Sequence, residues 1–121
     1  MHRDDRSKFI LYIEPKKEDK LKEPIEDNLT KLMEMALSKS EEGTGSYSDT
    51  TGEARFRSGS GYKGMHRTEC GQVSSNKDYL LENGMITNSL APFYLRWYRY
   101  SIPESDMIKL KELANFYNVN L

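Results

Sequence analysis

The stretch from Met65 to Ser89 gathers the side chains best suited to chemistry: His66, Thr68, Cys70, Ser74, Asn76, Asp78, Thr87, Asn88 and Ser89. His66 and Cys70 would form a thiolate–imidazole pair if the fold joined them. They stand four residues apart on a segment that reads as a strand entering a glycine turn. A lone cysteine in a small chain usually packs as a hydrophobe. His66-Arg67-Thr68 also matches one half of the paired His-x-Thr signature of two-histidine phosphoesterases. That chemistry needs a second histidine as acid–base partner, and the only other one, His2, lies in His2-Arg3-Asp4. The leading expectation is therefore a protein that is not an enzyme, with a small enzyme using His66 and Cys70 as a third reading behind a binding protein and an interaction module.

Positive charge is the more informative pattern. The formal net charge is -1, so no bulk field attracts duplex DNA or an anionic membrane. Locally, Arg55, Arg57, Lys63, His66 and Arg67 follow one another with no acid among them from 55 to 67. A second cluster is Phe93-Tyr94-Leu95-Arg96-Trp97-Tyr98-Arg99-Tyr100. Its aromatics suit a core helix, and Arg96 and Arg99, three apart, share a face. Arginine beside tyrosine also suits a platform that stacks a base. A helix beginning at Thr87-Asn88-Ser89 would add free N–H groups for a phosphate. The expected site is thus an anion site built from Arg55, Arg57, Lys63, His66, Arg67, Thr87, Asn88, Ser89, Arg96, Arg99 and Tyr100. Its ligand would be small and phosphate-bearing, such as a nucleotide.

The elements that must position these residues follow from periodicity. Phe9 to Ile13 reads as a strand. A helix is predicted from near Pro24 to about Ser38, with Ile25, Leu29, Leu32, Met33 and Ala36 on one face. Fifteen of the 27 residues from 38 to 64 are Ser, Thr or Gly, which predicts a flexible loop. Ala54-Arg55-Phe56-Arg57 is the exception, a brief edge strand that would pair with Tyr62 to Arg67. Asn83-Gly84 between apolar runs predicts a hairpin with a type I′ turn. A second helix runs from Thr87 or Asn88 to about Tyr100, with Leu95 and Trp97 in the core. Ser101-Ile102-Pro103-Glu104 reads as a capping box opening a third helix striped by Met107, Leu110 and Ala114. The fold class is α+β: one domain over residues 1–121, with a small antiparallel sheet packed against two or three helices.

With 36% hydrophobic and 31% charged residues and a mean hydropathy of -0.80, the chain reads as polar and cytoplasmic. No segment has the length and apolarity of a membrane span or a standard leader. One cysteine excludes an intramolecular disulfide. A protein partner and a homo-oligomer remain open, and so does an interaction module whose 38–64 segment orders on its partner.

From Gly64 to Pro103, about a third of the chain, the sequence resembles a group of small uncharacterised bacterial and phage proteins. The residues that carry the resemblance are Gly64-Met65-His66, Cys70-Gly71, Ser74, Asp78-Tyr79, Asn83-Gly84, Ile86-Thr87-Asn88-Ser89-Leu90-Ala91, Tyr94-Leu95, Arg99 and Pro103. Sequences of that kind often carry histidine at the positions of Phe93 and Tyr98 and a further cysteine at that of Thr68, a set able to ligate zinc. Here Cys70 and His66 alone remain, so neither metal nor cofactor is expected. The resemblance implies a mobile-element accessory protein, a class that includes sponges and inhibitors of host defence signals.

Overall fold

The computed structural model of the chain describes residues 8–47, 54–58 and 77–121. They form a four-stranded antiparallel sheet and three α-helices, an α+β fold. The helices are α1 (Asn28–Ser38), α2 (Ala91–Trp97) and α3 (Glu104–Phe116). The strands are β1 (Glu41–Tyr47), β2 (Ala54–Ser58), β3 (Asp78–Leu80) and β4 (Ile86–Asn88), ordered β2-β1-β3-β4 across the sheet. Lys63, His66, Arg67 and Cys70 lie outside the described residues, as does the segment expected to pair with β2.

Helix α1 carries the predicted stripe, with Leu29, Leu32, Met33 and Ala36 buried. It starts later than Pro24, at Asn28, where the Asp27 carboxylate accepts from the Thr30 N–H at 3.2 Å. The delay has a cause. The Ile25 N–H donates to the Arg96 carbonyl at 2.8 Å, and the Ile25 carbonyl accepts from the Thr30 hydroxyl at 2.7 Å. The Ile25 carbonyl, which a helix from Pro24 would offer to the Leu29 N–H, is engaged by a side chain instead, and the ladder starts after the Asp27 cap.

Strand β1 falls within the segment that composition assigned to a loop. Its glycines explain why a Ser/Thr/Gly run can pair here. A Cβ on Gly43 would lie 2.6 Å from the Phe56 ring and 2.1 Å from the Arg57 carbonyl oxygen. The ring of β2 occupies the space a side chain on β1 would need, the arrangement that rescues glycine in strands. Strand β2 is present and, among the described residues, lies at the edge of the sheet beside β1, with Thr44 opposite Arg57 and Gly45 opposite Phe56.

The Asn83-Gly84 hairpin joins β3 to β4, with Leu80 opposite Ile86. Its turn is not type I′. Gly84 alone of the pair has positive φ, at 94°, and its N–H donates to the Leu81 carbonyl at 2.9 Å. The Leu81 N–H donates in turn to the Met85 carbonyl at 2.8 Å. These bonds describe a type I turn closed by a glycine bulge, and Asn83 serves it by accepting from the Met85 N–H.

Phe9 to Ile13 is not a strand. Phe9 makes one isolated bridge to Ile86, and the chain then breaks at Leu11, whose φ is 63°. Side chains replace the missing ladder. The Phe9, Ile10 and Leu11 carbonyls accept from Lys109 Nζ, Thr87 Oγ1 and Asn88 Nδ2 at 2.9, 2.9 and 2.7 Å.

Helix α2 begins at Ala91, with Leu90 at its N-cap, and ends at Trp97, before the Arg99–Ser101 3-10 turn. Leu95 is buried, whereas Trp97 is half-buried at the rim and Tyr98 takes the deep position. Ser101 lies inside the 3-10 turn, so the expected capping box does not form and Pro103 is the N-cap of α3. Leu110, Leu113 and Ala114 join Ile10, Leu11, Leu29, Leu32, Met33, Leu81, Met85 and Leu95 in one core.

Candidate functional site

Arg96 and Arg99 do share a face, and that face is turned to α1. Arg96 pairs with Glu26 and, at 2.8 Å, with Glu34. Arg99 forks onto Asp27 at 2.9 and 2.7 Å, and also donates to Thr30 Oγ1 and the Leu95 carbonyl. The Arg99 guanidinium holds the Asp27 carboxyl well below the usual carboxylate range, against a smaller opposing effect of burial. Bidentate pairing of this kind fixes geometry as well as charge. Both arginines therefore bind α1 and the residues just before it, where acids already match them.

Thr87 and Asn88, expected at a helix start, sit in β4. The Thr87 hydroxyl and the Asn88 amide hold the Ile10 and Leu11 carbonyls, and Asn88 Oδ1 accepts from the Leu90 N–H at 2.9 Å. Residues whose type suits a helix cap here satisfy a neighbouring backbone from within a strand. Ser89 follows in the turn between β4 and α2. Tyr100 is 83% exposed beside a polar hollow of about 510 Å³ lined by Glu14, Lys16, Asp19 and Ser101.

Arg57 stands apart from that group. It is exposed on β2, and no ion pair engages it among the described residues. Strands β2 and β4 lie three spacings apart, about 14 Å at the usual separation, so the backbones of Arg57 and Thr87 do not meet. Arg55 lies on the same strand, opposite Ser46. Thr44 faces Arg57 across the ladder, and its Oγ1 is buried with no hydrogen-bond partner. Buried polar atoms are nearly always paired, so each exception calls for a cause. Glu42, on the same face of β1, holds Lys77 at 2.8 Å.

Two features had no expectation. Asp78, 1% exposed, accepts from the Tyr12 hydroxyl at 2.6 Å and from the Gly45 N–H at 2.7 Å. Burial, then the Asp78 carboxylate, pushes the Tyr12 phenol far above its ordinary value. Asp78-Tyr79 was visible in sequence as part of a motif, but nothing local announced a tyrosine 66 residues away as its partner. The second is a cavity of about 470 Å³ between the first turn of α1, Arg99 and the Met107–Lys111 side of α3, with Leu121 at its edge.

Among the described residues no group of three His, Cys, Asp or Glu side chains is placed to hold a metal ion. No helix among them is long and apolar enough to cross a membrane. Comparison with known protein families, with curated proteins and with solved structures found no match.

Proposed function

We propose that this is a non-catalytic binding protein whose ligand carries phosphate, a nucleotide or nucleotide signal, seated against the β1–β2 end of the sheet. One observation carries the reading: exposed Arg57, unpaired among the described residues, faces a threonine hydroxyl that is buried without a partner. A cation and an unused hydroxyl side by side are what a phosphate oxygen needs. Leaving that hydroxyl unsatisfied costs about 1–3 kcal/mol, and a ligand oxygen bonded to it would recover some of that. Arg96, Arg99, Thr87 and Asn88 leave the proposed ligand set, because their bonding groups serve the fold. The resemblance over residues 64–103 supports an accessory protein that sequesters such a signal.

The test is a thermal-shift screen against nucleotides, cyclic nucleotides and short single strands, followed by titration calorimetry of variants. A true ligand raises the melting point by linkage. Arg57→Ala is expected to weaken its binding by about 1.5–3 kcal/mol, the range for hydrogen bonds to charged groups. If no member of the panel binds, the protein–protein reading takes over. Its support is the exposure of Ile108 and Phe116, each 51%, on α3.

A further inference from the structure

The cavity beside Arg99 has a chemistry different from that of the sheet. Its floor is apolar, made by buried Leu29 and Leu110 with half-buried Met107, an adaptable side chain suited to irregular guests. At about 470 Å³ it lies within the usual range for small-molecule sites. It is roughly three times the ~150 Å³ void that accepts benzene. One wall is the loop after α3, which Asn28 holds by donating to the Asn120 carbonyl at 3.1 Å.

Charge decides the head group. Asp27 and Arg99 cancel each other in their bidentate pair, and Asp27 stays ionised because Arg99 depresses its carboxyl. Lys111, exposed at the rim, has no ion-pair partner among the described residues. The first turn of α1 contributes the positive end of its dipole. One uncancelled cation above an apolar floor matches a monoanion with a hydrocarbon tail. A phosphate dianion is a poor fit, because its second charge would find no second uncancelled cation among the lining residues. We infer that this cavity binds a medium-chain carboxylate, with its tail on Leu29, Met107 and Leu110 and its head at Lys111.

Octanoate is the probe, titrated into the full chain and followed by amide NMR. Saturable shifts are expected at Leu29, Met107 and Leu110, with none from octylammonium or inorganic phosphate at equal concentration. Lys111→Glu should weaken octanoate at least tenfold while leaving the melting point of the free protein unchanged, since the side chain is exposed. Met107→Trp, which fills the cavity, should weaken it equally. Arg57→Ala should leave octanoate binding as it is, which separates this site from the sheet. Unchanged affinity in Lys111→Glu, equal binding of octylammonium, absence of shifts, or loss on Arg57→Ala would each overturn the assignment.

Discussion

Leu11 and Asn118 both adopt the left-handed backbone region, at φ 63° and 56°, and for different reasons. Asn118 ends α3. Its N–H donates to Asn115, and the Val119 N–H donates to Ala114 at 2.8 Å, the pair of bonds that closes a helix in a Schellman motif. Asparagine tolerates this conformation better than most residues. Asn118→Ala should therefore lower stability by about 1 kcal/mol, and Asn118→Gly should leave it level or raise it; urea midpoints of the two variants decide. Leu11 instead keeps its side chain in the core, and the Asp106 carboxylate accepts its N–H. Tyr117 offers a pH test. Burial, then its bond to Glu82, pushes its phenol up to about 12. The folded state thus keeps this proton where the unfolded chain releases it, so stability falls as pH rises from about 10 towards that value. Tyr117→Phe should flatten this alkaline decline in chemical denaturation. At this scale the sequence disclosed that Arg96 and Arg99 share a face. It did not disclose that Glu26, Asp27 and Glu34, some 60 to 70 residues earlier, would meet them there.

At the scale of elements, α2 was legible as an aromatic core helix, yet its deepest residue was not. Tyr98 is buried against Phe93, with ring centroids 5.8 Å apart, while Trp97 lies under Lys20 at 4.9 Å. Tyr98→Ala should cost about 3–5 kcal/mol and Trp97→Ala clearly less, a difference readable in paired denaturation curves. The contact between α1 and the segment after α2 has its own signature. Asp27 remains ionised in the folded state at acidities where the unfolded chain takes up protons. Stability from the Arg99–Asp27 pair is complete above about pH 4 and is lost as pH falls through the depressed folded value. Arg99→Ala should reduce this acid loss, modestly because Asp27 is half exposed and screened; low-salt denaturation at about pH 5 and about pH 2 measures it. The helices could be foreseen because an apolar stripe of period 3.6 is written in the chain itself. Strand β1 could not, because its packing groups, Phe56 and Phe9, lie on other segments. The hairpin was legible from Asn83-Gly84, but its turn type depended on which of two compatible geometries the flanking register chose.

For the whole molecule, the N-terminal segment acts as a strap. Ile10 bonds to Ile86, Leu21 to Trp97, and Ile25 to Arg96, while Phe9 and Leu11 are held by Lys109, Asn88 and Asp106. Those contacts span between 71 and 100 residues of chain. Contacts of high sequence separation slow folding, because loop closure precedes any reward. Translated into synthesis, the consequence concerns timing. Residues 9–25 leave the ribosome before the segments they bond to, and Phe9 and Leu11 meet Lys109 and Asp106 only after α3 has been made. Their apolar members, Phe9, Ile10 and Leu11, must wait uncovered through that interval, the condition in which nascent chains associate wrongly or recruit chaperones. A version ending after Pro103 lacks Asp106 and Lys109, and should show by circular dichroism and proteolysis a strap that never docks. The polar composition of residues 1–8 and 14–24, rich in Asp, Glu, Lys and Arg, flanks that exposed run with charge on both sides, as gatekeepers do.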